Sequence, residues 1–324
     1  MKIFCSNNAK NLAAKLAEFK LFATVEAEYG DEVVAGSTEG LTLAHHGPRA
    51  GNPNPCLANF SGRLQAIEAI GLSHIDLDTL GGVATLMGKK PGPDSFWQLA
   101  AHIDSNGPHR AADFPLWDDH ADNVPLKAQY YAYCAWAREK ENQYWPPKDG
   151  SVEDVTDRIE KAIAVLSEIF TTRDHFGDKR DDGLVVSSPW VQCGREFEKK
   201  LAEDEARCLI EAGRVRVFAG DVFTAAFYRN ADGTVADATV SYGTKSGAIT
   251  LAFEDGGKKH NATEIMQMLF GPEAGGHAGI AGSPRGKRMD FGDLAAVVLK
   301  VRSELMEVSC SLAFLSREIF KKEL

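Results

Sequence analysis

The sequence predicts an α/β protein in two domains, a parallel-sheet N-terminal domain over residues 1–180 and a smaller α/β C-terminal domain over 184–324. Three observations predict it. The chain opens on a short apolar run and passes directly into a helical pattern, the alternation on which α/β sheets are built. Beyond a charged stretch, Arg173 to Gly183, the pattern changes to a series of strand-like runs followed by helices. At 324 residues the chain also exceeds the roughly 100–200 residues of a single domain.

Taken in order, residues 1–5 read as a buried strand, after which Leu12, Leu16 and Phe19 recur at helical spacing. Residues 33–44 alternate short apolar runs with Gly/Ser turns and end in Leu41-Thr42-Leu43-Ala44, just before His45 and His46. The loop 47–55 carries Pro48, Pro53 and Pro55, which lack a backbone donor and forbid regular structure. A helical pattern is expected from Leu64 to Gly71, then a strand end over 72–78 running into a helix at Thr79-Leu80-Gly81-Gly82. Aromatic residues crowd 110–150, among them Trp117, Tyr130, Tyr131 and Trp136, and read as a helical cap packed on the core, the alternative being a base-stacking platform. Ser151 and Asp154 resemble a capping box ahead of a helix whose apolar face is Val155, Ile159, Ile163, Leu166 and Phe170. In the second domain, 215–218, 224–228, 236–242 and 248–253 look like strands, and Ala231-Asp232-Gly233 like a hairpin turn. A helix over 262–270, a glycine-rich loop and a long helix over 294–315 follow.

The formal net charge of -10 argues against a broad basic face for long duplex nucleic acid, while leaving room for small anionic ligands held by a local patch or by bound cations. The six cysteines, Cys5, Cys56, Cys134, Cys193, Cys208 and Cys310, contain no C-x-x-C pair, so neither a structural zinc site nor a disulfide framework is expected. The opening apolar stretch is too short for a signal peptide, and the most apolar helix is interrupted by Lys300, Arg302 and Glu304, so no membrane span is expected. The expected location is cytoplasmic.

The sharpest chemical pattern is Ser73-His74-Ile75-Asp76-Leu77-Asp78. On an extended strand the two-residue spacing sends His74, Asp76 and Asp78 to one face and Ile75 and Leu77 to the core. Two carboxylates and an imidazole at the end of a strand suit Mn2+ or Mg2+ better than a thiol-rich zinc site. The other reading is that His74 and Asp78 cap the following helix and Asp76 is a surface residue. His102 and Asp104 repeat the spacing, and Asp104 is a candidate to complete a dinuclear centre; the same residues also fit a turn with solvated histidines. His45 and His46 form a third patch, and at least one is expected to be a ligand. Asp118, Asp119, His120 and Asp122, with Asp174 and His175, read as solvated faces.

Near the C-terminus, Gly275, Gly276, Gly279 and Gly282 allow backbone N–H groups to approach an anion, and His277 and Arg285 add donors for the same phosphate oxygens.

At these two motifs the chain resembles the DHH phosphoesterases that carry a DHHA1 domain. The run Met268 to Gly282, a helix ending in Gly275-Gly276-His277 and followed by Ala278-Gly279, is similar to that family's C-terminal motif, and His74-Ile75-Asp76-Leu77-Asp78 to its first metal motif. The resemblance implies a parallel-sheet domain holding two Mn2+ or Mg2+ ions and a DHHA1-like domain gripping substrate across a cleft. The family's Asp-His-His triplet is missing; the nearest strings are Ala44-His45-His46 and Asp118-Asp119-His120.

The expected activity is hydrolysis of a phosphodiester or phosphoanhydride in a small nucleotide, cyclic dinucleotide or short oligonucleotide. The expected catalytic set is Asp76, Asp78, Asp104 and His46; the metal set is His45, His46, His74, Asp76, Asp78 and Asp104; and Gly275, Gly276, His277 and Arg285 bind the substrate phosphate. A small phosphate-containing substrate is the expected partner, without long duplex nucleic acid or membrane, and a homodimer is compatible with the sequence. Two other readings stand beside this one: a nucleotide-binding or sensing module without hydrolysis, and a metal-dependent hydrolase of a non-phosphate bond.

Overall fold

The structure, a computed structural model, describes residues 1–29, 32–46, 49, 51–59, 66–117, 126–171, 189–220, 222–284 and 286–305. Asp118, Asp119, His120, Asp122, Asp174, His175 and Arg285 lie outside the described residues, as does the expected domain boundary at 180–184. The chain packs as two compact units, one of residues 1–105 with 111–197, the other of 106–110 with 198–324.

The first unit contains, in chain order, β1 (Lys2–Cys5), α1 (Ala9–Leu16), β2 (Phe22–Val25), β3 (Glu28–Tyr29), β4 (Glu32–Val33), β5 (Thr42–Leu43), β6 (Ala69–Leu72), α2 (Leu77–Leu86), α3 (Asp94–Asn106), α4 (Leu126–Arg138), β7 (Glu153–Asp154) and α5 (Thr156–Thr171). α6 (Pro189–Glu205) runs from this unit into the second. The main sheet has the order β5-β2-β6-β1-β7, with the first four strands parallel and β7 antiparallel at the edge.

The sheet is covered on both faces, which is why β6 reads as an unbroken apolar run with all four residues buried. Phe4 and Ala69 pack with Leu12 and Leu16 of α1 on one side. Ile3, Cys5, Ile70 and Leu72 point the other way, into a core shared with Leu80 and Val83 of α2 and Ile159 and Leu166 of α5. Gly71 is needed for the first packing, because a Cβ there would stand 2.5 Å from Leu16 Cδ1. The helical pattern expected over 64–71 is therefore corrected: 69–72 is a central strand, and a short, fully buried apolar run does not distinguish the two by periodicity. The aromatic stretch does form a helical layer, with Trp117 against Tyr130 and Tyr131 of α4, and Tyr131 against Phe197 of α6. α5 begins at Thr156, whose N–H is accepted by Asp154, and not from a cap at Ser151.

The second unit is a six-stranded sheet built from β8 (Cys208–Ala212), β9 (Val215–Ala219), β10 (Ala238–Tyr242), β11 (Ile249–Phe253), β12 (Gly275–His277) and β13 (Ile280–Gly282), with helices α7 (Ala262–Phe270) and α8 (Phe291–Glu304). The order is β12-β13-β11-β10-β9-β8, and β9 and β10 are parallel while the other pairings are antiparallel. Val215, Val217, Val240 and Leu251 meet Ile265 and Met266 of α7 and Leu294, Val297 and Val301 of α8 in one core. The turn at Ala231-Asp232-Gly233 is present, with Arg229 bridging Val235 across it. The strand expected over 224–228 is instead a turn of 3-10 helix, Thr224–Ala226, in which Thr224 turns its hydroxyl to Ser241 and its carbonyl to Thr239. Among the described residues no helix is long and apolar enough to cross a membrane.

Candidate metal centre

Parallel strands carry their ligand-binding loops at the carboxyl edge of the sheet. Glu26 follows β2 directly, Ala44 and His45 follow β5, and Ser73 and His74 follow β6. These segments converge. His45 Nε2 lies 3.1 Å from Asp104 Oδ2, 3.5 Å from Asp78 Oδ2 and 3.6 Å from Glu26 Oε1. His46 Nε2 lies 3.5 Å from the other Glu26 oxygen, Oε2. The His45, Glu26 and Asp78 side chains are buried, at 7%, 2% and 2% exposure, so three carboxylates face one imidazole with little water to separate them.

Each carboxylate residue is held by neighbouring groups. Asp78 lies in the first turn of α2 and accepts the Cys56 N–H at 3.1 Å. That donor is delivered by a 3-10 turn, Pro55–Leu57, which sits against Gly81 and Gly82 of α2. Asp104, on α3, accepts from Asn54 Nδ2 at 2.9 Å. Glu26 has a φ of +48°, and among the described residues no other non-glycine has a positive φ. The left-handed conformation costs roughly 1–3 kcal/mol for such a residue. It is locked by the Glu26 N–H donating to Leu43 O at 2.8 Å and by Ser73 Oγ donating to Glu26 O. Glu28 accepts the His46 N–H at 3.0 Å.

The electrostatics show what the cluster lacks. Burial, then the charges of Glu28, Asp78, Asp76 and Asp104, push the Glu26 carboxyl far above the usual carboxylate range. Burial and the Asp104 charge, against the stabilising Cys56 N–H, push Asp78 up to about 6. His45 is raised: burial opposes its protonation, but Asp104 and Asp78 outweigh it. Glu26 Oε1, Glu28 Oε2 and Asp78 Oδ2 are buried with no hydrogen-bond donor. Orphaned buried carboxylate oxygens are expensive unless a cation serves them. The donor set is carboxylate and imidazole without a thiol, which fits a hard divalent ion such as Mn2+ or Mg2+.

The structure thus brings together His45, His46, Asp78 and Asp104 from the expected set, and adds Glu26 and Glu28. His74 and Asp76 pair with each other instead, His74 Nε2 to Asp76 Oδ2 at 3.0 Å, both close to half exposed, while still within electrostatic reach of Glu26, Asp78 and Asp104. The extended strand expected over 72–78 ends at Leu72; Asp76 is the N-cap of α2, accepting from Thr79 N at 2.8 Å. The His-x-Asp-x-Asp spacing therefore does not put three side chains on one strand face, because Asp76 caps the helix that Asp78 has already entered. Burial would raise the Asp76 carboxyl, but His74 and the Thr79 N–H hold it down at about 2. His74, with Ser73 Oγ 2.8 Å from its Nδ1, is raised by Asp76 against the effect of burial.

His102 and Asp104 share a helix, where residues two apart do not face each other, and the His102 ring lies against Phe114 instead. His109 belongs to the second unit, with Nε2 3.1 Å from Glu254 Oε1. Glu26 and Glu28 went unread in the sequence, although Val25-Glu26-Ala27-Glu28 shows the same two-residue carboxylate spacing after an apolar run.

In the second unit, the glycine-rich run is a β-hairpin, with Gly275, Gly276 and His277 of β12 paired to Gly282, Ala281 and Ile280 of β13. Gly276 and Gly279 are required by packing, since a Cβ on either would meet the Ile280 or Gly256 backbone. The His277 side chain lies outside what the structure describes.

No protein-family model matches the chain, and no curated protein matches it. Among solved structures it aligns with a pGpG-specific phosphodiesterase, PggH from Vibrio cholerae, over 83% of this chain and 80% of that one, at 13% identity and a TM-score of 0.38. An overlap of that degree decides neither fold nor chemistry, which rest on the residues of this chain.

Proposed function

We propose that the chain is a metal-dependent phosphoester hydrolase acting on a phosphodiester or phosphoanhydride of a small nucleotide, cyclic dinucleotide or short oligonucleotide. The observation that carries the metal dependence is the buried set of His45, Asp78, Asp104 and Glu26, with carboxylate oxygens left without donors at the carboxyl edge of a parallel sheet. The choice of phosphoester over other bonds is supported by the resemblance of His74-Ile75-Asp76-Leu77-Asp78 and Gly275-Gly276-His277 to the DHH/DHHA1 motifs. The net charge of -10 favours short substrates over duplex nucleic acid.

His45, Asp78 and Asp104 would hold a divalent cation, which when bound lowers the pKa of water and neutralises charge on the attacked phosphate. Around it the protein's own groups have separable tasks. Cys56 N and Asn54 Nδ2 fix the carboxylates of Asp78 and Asp104, leaving their other lone pairs turned inward. Asp76 and Ser73 engage both ring nitrogens of His74 and fix its orientation. His277 binds a substrate phosphate.

Purified protein incubated with Mn2+ and a panel of nucleotides, cyclic dinucleotides and short oligonucleotides tests the reading. Product release, lost in Asp104→Asn, is expected. A panel that stays intact, with metal bound, removes the hydrolase and leaves a nucleotide-binding module, for which His277→Ala should weaken binding of the same ligands.

A further inference from the structure

We infer that Glu26 is a bridging carboxylate between two divalent cations, one among His45, Asp78 and Asp104 and the other on His46. The inference rests on the cation reading given above and assigns a residue that neither the motifs nor the family resemblance supplies.

Donors sharing one ion at about 2.1 Å stand about 3.0 Å apart at right angles and about 3.4 Å apart at the tetrahedral angle. The separations of 3.1, 3.5 and 3.6 Å from His45 Nε2 to Asp104, Asp78 and Glu26 Oε1 match those edges. Hydrogen bonding does not explain the arrangement. A single imidazole N–H serves one carboxylate, here Asp104, whose Oδ2 also accepts from Asn54, while the Cys56 N–H occupies the outer oxygen of Asp78. Glu26 Oε1 and Asp78 Oδ2 are left buried and without donors, aimed at the same nitrogen.

The second oxygen of Glu26 faces a different imidazole, His46 Nε2 at 3.5 Å. Neighbouring residues of an extended chain point to opposite sides. Here the His45 and His46 rings lie together, with centroids 3.9 Å apart, so both nitrogens approach one carboxylate. An imidazole nitrogen has one lone pair and binds one ion. With the His45 lone pair on the ion it shares with Asp78 and Asp104, Glu26 Oε2 and His46 are left to hold a second ion, with Glu26 between the two. His46 is 55% exposed, which leaves the second ion open to water and substrate. The left-handed backbone at Glu26 points the same way: strain of that kind persists where the position of the side chain is over-determined.

The test is Mn2+ stoichiometry, by mass spectrometry of the metal after gel filtration and by paramagnetic resonance of the bound ions. The wild-type chain should hold two ions with an exchange-coupled spectrum, and Glu26→Gln should hold one, uncoupled, with at least about 10-fold weaker affinity. Two ions retained by Glu26→Gln, or one ion in the wild type, overturns the inference. If circular dichroism shows that Glu26→Gln does not fold, His46→Ala, altered at a half-exposed position, takes its place: one ion supports bridging and two refute it. Turnover enters none of these measurements. Two ions in the wild type and one in the variant, with an inert substrate panel, would remove the hydrolase and keep the bridge; an active enzyme whose Glu26→Gln variant keeps both ions does the reverse.

Discussion

Asp78 and Asp104 are equivalent as charges but differ in how they are held, and their variants should differ accordingly. Asp104 is partly exposed on α3, so Asp104→Asn should keep the fold while lowering Mn2+ affinity and turnover at least about 10²-fold, as seen by calorimetry and product release. Asp78 is buried with a carboxyl raised to about 6, so its ionised form destabilises the metal-free protein. The sign follows from proton binding: between the unfolded value near 3.8 and about 6 the folded state binds more protons, so stability falls as pH rises through that window. The loss is on the order of 3 kcal/mol from Asp78, and Glu26, also raised, continues it to higher pH. Urea midpoints measured with chelator should therefore drop between pH 4 and 7, and saturating Mn2+ should abolish the drop. A chelated protein equally stable at both ends would show that the carboxylates are not electrostatically strained.

At the scale of elements, the site depends on close packing of α2 against the 3-10 turn that presents the Cys56 N–H. A Cβ on Gly81 would stand 2.5 Å from Cys56 Cβ and 2.7 Å from the Trp97 ring. Gly81→Ala should lower stability by about 1–3 kcal/mol and also weaken Mn2+ binding, because the turn that holds Asp78 must move. In the second unit, Gly257 has a φ of +87° and crosses the Ala278 backbone closely. Gly257→Ala should destabilise that unit by a similar amount, about 1–3 kcal/mol, with Mn2+ stoichiometry unchanged. Thermal unfolding and metal analysis on the two variants separate these effects.

At the scale of the whole molecule, each unit has its own apolar core, and the chain's five tryptophans, Trp97, Trp117, Trp136, Trp145 and Trp190, all belong to the first unit. Tryptophan fluorescence therefore reports the unit that carries the candidate metal centre. Saturating Mn2+ should raise the fluorescence midpoint by several degrees, since a ligand at 100 times its Kd adds about 2.7 kcal/mol. Asp104→Asn should remove the shift. An equal shift in that variant would place the cation elsewhere.

The sequence by itself determined the α/β class, the strand and helix that open the chain and the helix over 262–270, and it singled out His45, His46, Asp78 and Asp104 as candidate ligands, because apolar periodicity and clustered ligand types are local properties. It misread 69–71 as helix and 224–228 as strand, since short buried runs carry no usable period. Only the tertiary structure decided which residues meet. The parallel register of β5, β2 and β6 brings the ends of three distant segments to one edge, adds Glu26 and Glu28 to the cluster, and pairs His74 with Asp76 beside it. That outcome depends on a backbone reversal at Glu26 and a helix cap at Asp76, whose conformations are set by a hydrogen bond to Leu43 O and by those from Ser73 and Thr79, and not by residue spacing.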